Sequence, residues 1–212
     1  MKTINGKGEH MERQLLSVLC IALFMMCFLT PLNSRVAADR ASHQTAPVNT
    51  TPDGFALGPA VPGASATLVR NRNGITVNVH TTVPDAGAYS LWWVIFNHPE
   101  TECTTPSDYP CEFDLPAIVV NATGKISPGG NLDLSAWLGV GGPYSGEVVC
   151  PGILGPCSGD GLTNPQGALV LLVIRYHGPA TPGIIPQQLT TYLGGPNDCA
   201  PCVDEQLVLF VP

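Results

Sequence analysis

The stretch Ile75–Val83, ITVNVHTTV, decides the fold. Ile75, Val77, Val79 and Val83 fall on one face, and Thr76, Asn78, His80 and Thr82 on the other. A period of two built on β-branched residues marks a half-buried antiparallel strand. Asn73-Gly74 just ahead suits a tight turn because both residues tolerate positive φ, and Ala64–Arg70 is the predicted hairpin partner. Working outward, Tyr89–Phe96 (YSLWWVIF) is apolar on both faces and reads as a central strand. Ala117–Ile126 and Leu132–Leu138 flank Ser127-Pro128-Gly129-Gly130, a second predicted hairpin. Ala168–Ile174 (ALVLLVI), bounded by Gly and Pro, is too short for most helices and reads as a fully buried strand. Leu207–Val211 (LVLFV) closes the chain. Only Pro186–Leu193, with Pro first and Gly194 beyond, carries helix signals.

About seven to eight strands, one short helix and many Gly/Pro turns predict an all-β fold. The expected architecture is a single antiparallel β-sandwich or barrel with disulfide-stapled loops. A parallel α/β sheet is excluded because no amphipathic helices alternate with the strands.

Composition narrows the function classes. The 212 residues are 44% hydrophobic and only 12% charged, which excludes a disordered polyelectrolyte. Nine Lys+Arg against 16 Asp+Glu give a net charge of −7. Nucleic-acid binding needs a concentrated basic surface, so it is not expected.

The N-terminus reads as an export signal over residues 1–38. Leu15–Leu29 is apolar apart from Ser17, short for a membrane span and suited to a signal h-region. Pro31 ends it, and Val36-Ala37-Ala38 offers small residues for cleavage before Asp39. An uncleaved anchor is the alternative, and Met11 is an alternative start. No lipobox precedes Cys20 or Cys27. Residues 1–38 carry four cations (Lys2, Lys7, Arg13, Arg35) and two acids (Glu9, Glu12), so the remainder holds 5 cations and 14 acids, a net of −9. Residues 39–63, with little periodicity, are expected to be a flexible lead-in, and residues 64–212 the β-domain.

Six cysteines remain after the leader: Cys103, Cys111, Cys150, Cys157, Cys199 and Cys202. Six permit 15 pairings, but short separations make Cys103–Cys111, Cys150–Cys157 and Cys199–Cys202 the economical set. An even number in short loops agrees with a secreted or periplasmic location. Cys199-Ala-Pro-Cys202 is a C-x-x-C, yet no βαβ pattern surrounds it, so a structural disulfide is expected over a redox centre.

Four segments carry a resemblance: GITVNVHTT (Gly74–Thr82), WWVIFNHPETEC (Trp92–Cys103), IRYHGPATPG (Ile174–Gly183) and QQLTTYLGG (Gln187–Gly195). Together they resemble a group of uncharacterised secreted prokaryotic proteins. That group has a Trp-rich strand ending in Asn-x-Pro-Glu and a later strand ending in His-Gly-Pro. The resemblance covers residues 64–212. It implies export and a single domain, and it transfers no catalytic residue.

Besides the C-x-x-C, two constellations could carry chemistry. His98 and His177 each end a predicted central strand, and neighbouring strands pointing the same way would bring both to one rim. Glu100, Glu102 and Asp108 follow His98, and His80 is a weaker third imidazole. Imidazoles with a carboxylate suit Zn²⁺ or Cu²⁺, although no H-x-H or H-E-x-x-H spacing is present. Trp137 shares the predicted outer face of its strand with Asp133 and Ser135, a setting for stacking on a sugar ring or docking a protein. Trp92 and Trp93 occupy opposite faces of one strand and are expected in the core. Gly139-Val140-Gly141-Gly142 lacks the Lys-Ser/Thr of a phosphate loop, and no G-x-S-x-G elbow exists. Sequons at Asn49 and Asn121 matter only in a eukaryotic secretory route.

Two function classes follow. The first is a non-catalytic exported binding or structural module without a cofactor, meeting a glycan or protein at the cell exterior. The second is a Cu- or Zn-binding protein or metalloenzyme at His98 and His177. They separate on geometry, since one metal ion requires both imidazoles at one end of the sheet.

Overall fold

The computed structural model describes residues 41–52, 56–102, 118–141, 148–149, 161–192 and 202–212. Its elements in chain order are β1 (Ser42–Thr50), β2 (Ala60–Asn71), β3 (Gly74–Val83), β4 (Gly87–Phe96) and a single helical turn α1 (Pro99–Glu102). Then come β5 (Ile118–Ser127), β6 (Gly130–Gly139), the two-residue β7 (Val148–Val149), β8 (Leu169–Tyr176), α2 (Ile185–Thr190) and β9 (Val203–Phe210).

All strands pair antiparallel in one sheet of order β6-β3-β2-β1-β9-β8-β4-β5-β7. β5 and β6 are consecutive in sequence yet far apart in that order. The turn at Pro128-Gly129 brings them side by side, so the sheet curls into a nearly closed barrel. Of the two predicted architectures, the barrel is the one formed.

The alternation read from ITVNVHTTV holds: Ile75, Val77, Val79 and Val83 are buried, and Asn78 and His80 exposed. Ile75 pairs with Arg70 across the Asn73-Gly74 turn. A Cβ on Gly74 would stand 2.2 Å from the Leu138 carbonyl oxygen of β6, so the turn residue must also be small. β4 is buried at all ten positions, as its two apolar faces require. Tyr89, Leu91, Trp93 and Ile95 join Leu68, Val77, Leu134, Leu172 and Val208 in the barrel interior. At about 1.5–3 kcal/mol per large side chain buried, this interior is the main source of stability. Across it Gln206 accepts from Thr81 Oγ1 (2.8 Å) and donates to the Thr82 carbonyl (2.7 Å), tying β9 to β3.

The other face of β4, β5, β8 and β9 forms a second apolar layer of Trp92, Val94, Phe96, Val119, Leu169, Leu171, Val173 and Leu207. The segment following β8 packs on it. α2 has only six residues, too few to be stable alone, and is held by tertiary contacts. Tyr192 meets Trp92 edge-on at 5.2 Å. Arg175 stacks over the Tyr192 ring at 4.2 Å, donates Nε–H to the Tyr192 carbonyl (2.7 Å) and pairs with Asp204 at 2.5 Å. The Tyr192 hydroxyl closes the ring by donating to Asp204 (3.0 Å).

Two expectations are corrected. Residues 39–63 are not a flexible lead-in throughout: Ser42–Thr50 is β1, bonded to β2 on one side and β9 on the other. It hides because its inward positions are Gln44, Ala46 and Val48, a weak apolar alternation, and because Pro47 sits where the register shifts. The second correction is the Ser127–Gly130 hairpin. The turn exists, with Gly129 and Gly130 at φ of 87° and 76°, but β5 pairs with β4 and β6 with β3. The turn therefore spans the seam of the barrel. Lys125 Nζ reaches across it to the Asp133 carbonyl at 3.3 Å.

Candidate functional site: an exposed tryptophan on a polar sheet face

β4 and β8 run antiparallel, with Tyr89 opposite Tyr176 and Phe96 opposite Leu169. His98, beyond Phe96, and His177, beyond Tyr176, thus lie at opposite ends of the barrel. They are nearly a strand length apart, about 25 Å at the rise of an extended chain. The single rim expected for a metal does not form, because that expectation needed parallel strands. His98 is half exposed, with Nδ1 3.5 Å from Glu100. His80, on the outer face of β3, bonds Asp133 of β6 at 2.6 Å. No group of three His, Cys, Asp or Glu suited to a metal occurs among the described residues. Asp108 lies outside those residues, as do five of the six cysteines, Cys103, Cys111, Cys150, Cys157 and Cys199. Cys202 is disulfide-bonded.

His177 has a different role. It is 2% exposed, between Ser90 Oγ (2.6 Å from Nε2) and Cys202 Sγ (3.1 Å from Nδ1). The Trp92 indole N–H donates to the same Ser90 oxygen at 2.7 Å. One buried oxygen, Ser90 Oγ, thus joins the Trp92 indole to the His177 imidazole. Burial, assisted by the Arg175 charge, lowers the His177 pKa to about 4, so the ring is neutral at physiological pH. Ser90 is wholly buried. A hydroxyl and imidazole in contact suggest a nucleophile pair, but no substrate reaches them, and they join β4 to the end of β8. Gln188 of α2 fixes the following turn by donating to the His177 and Pro179 carbonyls at 3.1 and 3.0 Å.

Trp92 and Trp93 are 0% and 1% exposed, as expected of core residues on two faces. Trp137 is 63% exposed. It stands on β6 opposite Thr76, and the pairs Asn78–Ser135 and His80–Asp133 continue the same outer face. Ser135 Oγ donates to Asn78 Oδ1 at 2.8 Å. Gly139, two residues on, is so close that a Cβ there would lie 2.6 Å from the indole Cη2. The missing side chain lets the ring lean over the backbone. Ser65 and Thr67 of β2 extend the face, opposite His80 and Asn78. The result is a shallow strip of hydroxyl, amide and carboxylate groups ending in one open indole. The inward/outward alternation of Leu132–Leu138 was sufficient to locate it.

A groove of about 520 Å³ opens elsewhere, at the barrel end bearing Thr50, Thr51, Pro84, Asp204 and Glu205. Burial, reinforced by Asp85, raises the Glu205 pKa. Arg175, which also borders the groove, is committed to Asp204. Asn121 is buried and donates to the Leu189 carbonyl at 3.1 Å, so that sequon is no glycan acceptor in the folded chain.

Sequence reasoning missed Arg175–Asp204–Tyr192, which joins β8, the segment after α2 and β9. It also missed Arg70, although the alternation Ala66, Leu68, Arg70 points its side chain inward.

Fold and face together define an all-β, barrel-like protein with an aromatic-and-hydroxyl strip on one wall. No protein-family model, curated protein or solved structure matches the chain. No helix among the described residues is long and apolar enough to cross a membrane.

Proposed function

We propose that this is an exported, non-catalytic binding domain whose ligand is a neutral polysaccharide, held on the β3–β6 face by Trp137. Residues 1–38 act as the export leader, and short-range disulfides staple the loops outside the cell membrane. The carrying observation is the 63% exposure of Trp137 at the end of a strip containing Asn78, Ser135 and Asp133. Sugar rings present C–H groups to an indole face and hydroxyls to flanking polar groups. An acidic polysaccharide is disfavoured by the net charge of −9 beyond the leader.

The three tryptophans give a direct readout. Trp92 and Trp93 are buried, so a ligand-induced change in indole emission reports Trp137. The expected result is saturable quenching by at least one member of a panel of neutral glucans, xylans, mannans and chitin oligosaccharides. Trp137→Ala should remove the signal and weaken retention on the matching insoluble polymer about tenfold. Retention equal to the parent protein, or no member of the panel bound, would overturn the reading.

A further inference from the structure

We propose that the barrel end closed by residues 162–168 holds a small inorganic anion of the halide class, bound by Arg70 and Gln166. Arg70 of β2 is 1% exposed, yet among the described residues its guanidinium bonds only neutral groups. Nε donates to Gln44 Oε1 (2.8 Å), and Nη1 to the carbonyls of Pro165 (3.0 Å) and Ala168 (2.6 Å). Nη2 has no partner. One other buried side-chain polar atom among the described residues lacks a partner: Nε2 of Gln166, in the same turn that Arg70 grips. The turn itself is fixed by Asn164, which accepts from Gly167 N through Oδ1 (3.0 Å) and from Ala168 N through its carbonyl (2.8 Å).

Both orphaned atoms are N–H donors, so the missing partner is an acceptor. Among the described residues the buried charge has no counter-ion, and burial lowers the Arg70 pKa only to about 10, so it stays protonated at neutral pH. A buried cation without a compensating anion is strongly disfavoured. Water would supply an acceptor but no charge; a halide supplies both. The occupant must be small, because almost none of Arg70 meets solvent.

The test compares thermal unfolding of the intact protein in sodium chloride, sodium bromide and sodium gluconate at equal ionic strength. It is paired with anomalous diffraction from crystals grown in bromide. The expected result is a higher midpoint in chloride and bromide than in gluconate, saturating with halide as binding to the native state requires. Bromide density should lie against Arg70 Nη2 and Gln166 Nε2. Gln166→Leu should raise the half-saturating bromide concentration about fivefold through loss of one donor. Arg70→Met should abolish the halide effect; if that variant does not fold, Gln166→Leu and the bromide density decide. Equal midpoints in all three salts, a water in place of bromide, or unchanged half-saturation in Gln166→Leu would overturn the proposal.

Discussion

His177 is a neutral imidazole between a hydroxyl and a sulfur, and its charge state links stability to pH. Its folded pKa, about 4, lies below the ordinary histidine value, so between the two the unfolded chain binds the extra proton. Stability therefore rises with pH across that window and falls as pH drops from about 6.5 towards 4, by on the order of 3 kcal/mol. Glu205 acts in the opposite sense, since its raised pKa favours the protonated native form and removes stability as pH climbs through the carboxylate range. The His177 contribution is therefore read as a difference. Urea midpoints measured at pH 4.5 and 7 should differ more in the parent protein than in His177→Gln. An equal pH response in the two proteins would show that the buried ring does not titrate differently on folding.

At the scale of elements, β1 supplies the sharpest prediction. It bridges β2 and β9, so removing residues 41–50 leaves two unpaired edges and a gap beside Leu68 and Val208. The truncated protein should bind a hydrophobic dye and lose its single cooperative unfolding transition, measured by circular dichroism during heating. β1 is also the element that the sequence concealed. Strands with a strong period of two, such as Ile75–Val83, or a long apolar run, such as Ala168–Ile174, were legible because one residue's partition into the core needs no knowledge of its neighbours. β1 exists because β2 and β9 each offer it an edge, and its own residues barely declare it. The β5–β6 turn misled for a related reason: turn chemistry fixes a reversal of direction but not which strand then accepts the hydrogen bonds. The outward placement of Trp137 needed only alternation and was legible. The His98–His177 pairing needed strand polarity, which no local pattern encodes.

At the scale of the molecule, the described strands form a nearly closed barrel filled with side chains. Trp93 is the largest residue of that interior and is 1% exposed. Trp93→Ala should cost about 3–5 kcal/mol, since the surrounding walls are strands that cannot collapse into the void. Chemical denaturation should register this as a lower midpoint with little change in slope. A loss below about 1 kcal/mol would mean that the interior repacks freely, contrary to close-packed walls.

The pairing of the first strand with the last has a consequence for biosynthesis. Asn49 is matched with Leu207, and Gln44 donates to the Val211 carbonyl at 2.6 Å, a contact between residues 167 positions apart. A nascent chain cannot close the wall until its final strand has left the ribosome. Until then one hydrogen-bonding edge of β8 waits without its partner strand. Such high contact order slows folding and leaves a sticky, half-built cylinder as a substrate for holding chaperones.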